Sequence, residues 1–131
     1  TIEMLKEWKV DYRVHHVWDG VEGLEFLRKE GRHADAPKPD LIIMDLNLPK
    51  MSGHELLAIV KRDPALKRIP VIVLSTSAAE EDINRAYENY ANIYFTKPRN
   101  LKYYDELIKV IEECWLNLAR LPDGGCEEIK Y

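Results

Sequence analysis

The chain has 131 residues, 46 % hydrophobic and 32 % charged, which is the balance of one globular domain and excludes a disordered segment. Nineteen Lys and Arg against 23 Asp and Glu leave a net charge of −4, without the concentrated basic face that nucleic-acid binding requires. No apolar run approaches the roughly 18 residues of a membrane span, the charges within Thr1 to Val10 exclude a signal peptide, and Cys114 and Cys126, without CxxC spacing, read as reduced cytoplasmic thiols.

Ile2, Leu5 and Trp8 stand at helical spacing, as in a helix already under way at Thr1. Arg13 to Trp18 reads as a short strand, and Asp19 as the N-cap of a helix from Gly20 to Glu30 with Val21, Leu24 and Leu27 on one stripe. Gly31 ends that helix, and Ala36-Pro37-Lys38-Pro39 is loop. Asp40 to Met44 is an unbroken apolar run, the pattern of a strand buried on both faces of a parallel sheet. Ser52-Gly53-His54-Glu55 is a capping box opening a helix to about Arg62, which Asp63-Pro64 stops. Pro70 to Leu74 is a second buried strand, and Ser77-Ala78-Ala79-Glu80 a second capping box for a helix to about Asn89. Asn92 to Thr96 is a third such strand. A long helix follows from about Leu101 to Ala119, with Leu107, Ile108, Ile111, Trp115 and Leu118 inward; Leu121 to Gly125 breaks it before a polar tail. Strict alternation of strand and helix implies an α/β doubly wound parallel sheet with helices on both faces.

Ligands in such sheets bind beyond the carboxyl ends of the strands. There the sequence places Asp45, Ser75 with Thr76, and Thr96 with Lys97, so that a carboxylate, a hydroxyl and an ammonium converge on one rim. Two readings fit: a structural salt bridge beside a helix cap, or an aspartate that accepts a phosphoryl group, with the lysine and the hydroxyl binding phosphate oxygens. The second requires a divalent cation, and Mg²⁺ accepts one or two carboxylates with phosphate and waters.

The segments Leu41 to Gly53, Ile69 to Thr76 and Tyr94 to Pro98 resemble the phosphorylation site and the last two strands of a two-component response regulator receiver domain, and the likeness runs from Val14 to about Trp115. The resemblance implies a flavodoxin-like receiver fold of strand order 2-1-3-4-5, phosphorylated by a sensor histidine kinase. It assigns Asp45 as phosphoacceptor, Asn47 as a backbone-carbonyl ligand to Mg²⁺ alongside Asp45, and Lys97 as phosphate partner. Ser75 becomes the switch hydroxyl, Tyr94 the aromatic switch, and Lys97–Pro98 a cis peptide. The loop His33 to Pro37, the segment Asp63 to Leu66, and Cys114-Trp115-Leu116 with Leu121-Pro122 further resemble single-domain regulators paired with bacterial phytochromes.

The family's first strand ends in an acidic pair that holds the metal, and the chain as written opens without it. Glu127-Glu128, in the polar tail after Gly124-Gly125, is no replacement on this reading. Because that strand is central, its loss would leave backbone groups unpaired; the expectation is an upstream segment bearing an apolar strand and an acidic pair. The working division is a receiver domain over residues 1–122 and a tail over 123–131.

His15 and His16 face opposite sides of one strand and cannot chelate together; His33 and His54 have no ligand partner at suitable spacing. Tyr87, Tyr90, Tyr94, Tyr103 and Tyr104 are core or a partner surface, and the second option implies a homodimer extended by Trp115 and Leu121-Pro122. Glu80-Glu81-Asp82 and Glu112-Glu113 read as solvated helix faces. The alternative to a phosphorylated switch is a pseudo-receiver that binds partners without phosphorylation. A haloacid-dehalogenase-type phosphatase would need D-x-D where this chain has Asp45-Leu46-Asn47, and a flavodoxin would need a Ser/Thr/Gly-rich phosphate loop.

Overall fold

The computed structural model describes residues 13–36, 38–118 and 127–130. In chain order these form β1 (Arg13–His16), α1 (Gly20–Arg28), β2 (Leu41–Met44), α2 (Gly53–Arg62), β3 (Val71–Ser75), α3 (Glu80–Glu88), β4 (Ile93–Thr96), α4 (Leu101–Glu112) and β5 (Glu127–Lys130). A short 3₁₀ turn at Gly31–His33 follows α1, and α4 runs on into a π-helical segment, Glu113–Leu118. The helix expected from Ile2, Leu5 and Trp8 lies outside the described residues, as do Cys126 and Leu121-Pro122.

The five strands form one parallel sheet in the order β1-β5-β2-β3-β4. β2 and β3 are buried along their whole length. Alternate residues divide between the two faces, as strand geometry requires. Ile42, Met44, Val71 and Val73 pack with Phe26 and Leu27 of α1, Leu56, Leu57 and Val60 of α2, and Ala86 of α3. Leu41, Ile43, Ile72 and Leu74 pack with Ile108 and Ile111 of α4. The doubly wound architecture expected from the alternation is therefore the observed one.

Both early helices are capped as the sequence indicates: Asp19 Oδ1 accepts the Glu22 N–H at 2.7 Å, and Ser52 Oγ accepts the Glu55 N–H at 3.2 Å. The second capping box is a correction. α3 is capped at Ala79 without a side-chain bond, because the Ser77 hydroxyl accepts from Ala79 N–H and donates to Asp82 instead.

The place between β1 and β2 is a second correction. Glu127–Lys130 occupies it as β5, with Glu128 beside Val14 and Leu41, and Ile129 beside His15 and Ile42. Those residues are thus not a tail outside the sheet, and the position expected to lack a strand has one. A central gap leaves two rows of buried N–H and C=O groups unpaired, at about 1–3 kcal/mol each, so even a polar segment that can extend there satisfies them.

Glu112 is a third correction: it is 2 % exposed rather than solvated. It follows Ile111 and shares a face with Ile108 and Trp115, at the helical spacing that points all of them toward the sheet. The tyrosines divide. Tyr87, Tyr90 and Tyr103 are exposed, whereas Tyr94 and Tyr104 pack against the two core clusters.

Candidate functional site

β2, β3 and β4 end at the same rim. In register, Met44 lies beside Val73, and Ser75 beside Thr96. Asp45 is the first residue beyond β2, and Lys97 the first beyond β4. The Lys97 N–H donates to the Ser75 carbonyl at 2.6 Å, which prolongs the β3–β4 ladder by one step and aims the lysine across β3. Its Nζ donates to Asp45 Oδ2 at 2.7 Å, with the two side chains 18 % and 22 % exposed. Asp45 Oδ1 accepts the Asn47 N–H at 3.0 Å, a local turn that fixes the carboxylate. The sheet thus brings together a carboxylate, a cation and, between them in the strand order, a fully buried hydroxyl at Ser75.

The segment after Asp45 is held on two sides. Gly53 N–H donates to the Leu46 carbonyl at 2.9 Å, and a Cβ on Gly53 would lie 2.2 Å from the Asp45 carbonyl oxygen, so only glycine admits α2 this close to the strand end. On the other side Gly20 N–H donates to the Pro49 carbonyl at 3.2 Å. Lys50 adopts a left-handed conformation (φ 67°), and its ammonium stands 3.6 Å from Asp19 Oδ2. Asp19 is held below the usual carboxylate range by the Glu22 N–H first, against the opposing effect of burial, with Lys50 adding to the lowering.

Ser75 Oγ accepts the Ser77 N–H at 3.1 Å. The Tyr94 hydroxyl donates to the Ser77 carbonyl at 2.8 Å, while the Tyr94 N–H donates to the Tyr87 hydroxyl oxygen at 3.1 Å. The Lys97–Pro98 peptide is trans, which corrects the cis expectation. Trans is the favoured isomer at X-Pro by about 0.5–1 kcal/mol, and with it the Lys97 ammonium already reaches Asp45.

Among the described residues, no group of three or more His, Cys, Asp or Glu converges on one point. At this rim the donors are the Asp45 carboxylate and the neighbouring backbone carbonyls, a set that fits a cation completed by phosphate oxygens and waters. Backbone register sets Glu128 beside Leu41, four residues before Asp45, hence roughly 13 Å away along a strand that rises about 3.3 Å per residue.

Sequence spacing missed three polar clusters, because each joins residues far apart in the chain. His54, 6 % exposed on the first turn of α2, places Nε2 3.2 Å from Asp82 Oδ1, and Asp82 Oδ2 accepts the Ser77 hydroxyl at 2.6 Å. The Ser77 hydroxyl and then His54 hold Asp82 below the usual carboxylate range. Glu22 Oε2 meets Arg32 at 2.8 Å and His33 at 3.1 Å. Burial would raise the Glu22 carboxyl, but the Trp18 N–H, His33 and Arg32 outweigh it, so the net shift is downward. Lys61 donates to the carbonyls of Lys67 and Ile69 and to Asn92 Oδ1, and burial lowers its pKa. A capping histidine or lysine carries no local signal of the partner it finds across the fold. His15 and His16 diverge as expected, His15 toward Phe26 and His16 onto Trp18.

No helix among the described residues is long and apolar enough to cross a membrane. Comparison with known proteins gives consistent results. The chain is 44 % identical over 120 residues to the response regulator Rcp1 of Synechocystis sp., covering 92 % of this chain and 82 % of that protein. It is 39 % identical over 111 residues to a probable methanogenesis regulatory protein, FilR2, of Methanothrix harundinacea, covering 84 % and 70 %. The Mn²⁺-bound form of Rcp1 superposes with a TM-score of 0.86 at 43 % identity, over 88 % of this chain and 83 % of that one. The phosphorylated cyanobacterial phytochrome response regulator RcpA superposes with a TM-score of 0.80 at 53 % identity, over 82 % and 76 %. Residues 2–112 match the response regulator receiver domain, so with the carboxylate, hydroxyl and ammonium gathered on one rim, this chain belongs to the response regulator receiver family.

Proposed function

We propose that the chain is a single-domain response regulator, a cytoplasmic switch that accepts a phosphoryl group on Asp45 from the phosphohistidine of a sensor kinase and signals through protein–protein contacts. The observation that carries this is the 2.7 Å contact of Lys97 Nζ with Asp45 Oδ2 across three strand ends. In the transfer, an Asp45 oxygen forms the new P–O bond as the P–N bond to the donor imidazole breaks, and the leaving imidazole takes up a proton. The Lys97 ammonium moves from the carboxylate to a phosphate oxygen, and the Ser75 hydroxyl binds a second. Tyr94, bonded to the Ser77 carbonyl, follows the loop as Ser75 moves and reports the change at the surface. Asp45 and the Asn47 carbonyl would hold Mg²⁺, which when bound neutralises charge on the phosphate oxygens. The same residues would support autodephosphorylation, in which water forms a new P–O bond as the bond to the Asp45 oxygen breaks and the carboxylate is restored.

The likeness to RcpA and to the bacteriophytochrome response regulator RtBRR, 32 % identical with a TM-score of 0.62, supports a phytochrome-type sensor histidine kinase as partner. The exposed Tyr87, Tyr90, Leu101, Tyr103 and Val110, on α3 and α4 and at their ends, support a homodimer through that face; light scattering should give twice the protomer mass, and a monomer at high concentration in both phosphorylation states refutes it. A small phosphodonor with Mg²⁺ should add one base-labile phosphoryl group per chain, and Asp45→Asn should abolish it. Absence of labelling in the parent protein would leave the pseudo-receiver reading, and labelling that survives Asp45→Asn would move the site elsewhere.

A further inference from the structure

Ser75 is fully buried, and its hydroxyl accepts the Ser77 N–H at 3.1 Å. Ser77 is itself tied down: its hydroxyl donates to Asp82 Oδ2 at 2.6 Å and accepts the Ala79 N–H at 3.2 Å, and its carbonyl accepts from Tyr94. Asp82 is in turn joined through Oδ1 to His54 Nε2 at 3.2 Å. The other ring nitrogen of His54, Nδ1, is buried and without a hydrogen-bond partner. A buried unpaired ring nitrogen is unfavourable, and a leucine or phenylalanine would pack at this position without that penalty. The bond to Asp82 is therefore the physical reason for a histidine here. A carboxylate has no proton to give, so Nε2 carries the proton and donates. α2, which presents His54, also begins at Gly53, bonded to Leu46 next to Asp45. One continuous path thus runs from the strand end of Asp45 through α2, His54, Asp82 and Ser77 to Ser75.

We propose that His54, Asp82 and Ser77 form a clamp that holds the Ser75 hydroxyl in its resting position, so that these three positioning residues set how readily the hydroxyl reaches a phosphoryl group on Asp45. The inference rests on the reading of Asp45 as phosphoacceptor. Moving Ser75 Oγ toward the phosphate stretches the bond that it accepts from the Ser77 N–H, and the Ser77 loop follows only by giving up its bond to Asp82, which His54 holds. Opening the clamp therefore favours the phosphorylated arrangement, by about the equilibrium equivalent of one hydrogen bond, about fivefold.

The test uses beryllofluoride with Mg²⁺ as the phosphoryl mimic, its affinity followed by titration, together with amide hydrogen exchange at Ser77. His54→Phe keeps a ring of similar size and removes the donor; His54→Gln retains an N–H at the corresponding place. His54→Phe and Asp82→Asn should each speed exchange at Ser77 and bind the mimic about fivefold more tightly, with no further gain in the double variant. His54→Gln should stay near the parent protein. In a Ser75→Ala background the His54→Phe effect should vanish, which a general loosening of the fold would not produce. Faster exchange at Ser77 with unchanged mimic affinity overturns the clamp, as does an affinity gain that persists without the Ser75 hydroxyl. If the parent protein binds the mimic and Asp45→Asn does not, such a failure is the clamp's alone. If Asp45→Asn binds as the parent does, or neither binds, the reading of Asp45 falls and the clamp falls with it.

Discussion

Gly53→Ala tests the placement of the site by one methyl group. The added Cβ would lie 2.2 Å from the Asp45 carbonyl oxygen, 2.6 Å from Leu46 Cα and 3.0 Å from the Asp45 carbonyl carbon. Every one of these is backbone, so no side chain can swing aside. Restoring an ordinary carbon–oxygen contact requires α2 to retreat from the strand end by about 1 Å. Overpacking of this kind destabilises by about 1–3 kcal/mol, and the retreat also stretches the 2.9 Å bond from Gly53 N–H to the Leu46 carbonyl, worth about 1 kcal/mol. The sum, about 3 kcal/mol, is a large share of a typical stability of about 5–15 kcal/mol. With a urea slope of about 2 kcal/mol/M, the unfolding midpoint should fall by about 1.5 M. Because the displaced atoms are those of Asp45 and Leu46, phosphodonor labelling should slow even at urea-free equilibrium, where the variant remains folded. A midpoint within about 0.3 M of the parent protein would show that the contact relaxes freely and that the close approach of α2 to Asp45 is not required.

Three further outcomes are expected. Lys61→Met should destabilise by about 1–2 kcal/mol in urea unfolding, because the carbonyls of Lys67 and Ile69 and Asn92 Oδ1 lose a charged donor while the aliphatic stem is kept; an unchanged midpoint would assign those acceptors to water. Asp19 has its folded pKa lowered from 3.8, so it contributes stability above the unfolded value that is lost as the pH falls through the lower folded one. Asp19→Asn can still cap α1 but has no charge to lose, so a series of urea midpoints should show a shallower acid decline below about pH 4. Ile129→Pro should destabilise by about 2 kcal/mol or more, since β5 is flanked by β1 and β2 and its N–H groups have no solvent-facing side; retention of the parent stability would place the segment outside the sheet.

Leu41 to Met44 and Val71 to Leu74 announced buried parallel strands because a strand covered on both faces has no polar positions to reveal its alternation, and Ser52 and Asp19 announced helix starts because a cap acts within three residues. Asp45, Ser75 and Lys97 were legible for the same reason: each sits one step from the end of such a strand, and parallel strands deliver their ends to one rim. What the sequence could not determine depended on partners distant along the chain. Ser77 looked like the start of a capping box, but Asp82 drew its hydroxyl away, and that carboxylate was shared with His54, 28 residues from it. Glu112 looked solvated until α4 turned it toward the sheet. Glu127–Lys130 is polar and follows a glycine break, yet it lies inside the sheet between β1 and β2, because unpaired backbone there is more unfavourable than placing a weak strand former. Local propensity and hydrophobic pattern act over a few residues and set elements and their ends; hydrogen-bond satisfaction acts over the whole fold, and only the tertiary structure could decide which polar groups it would join.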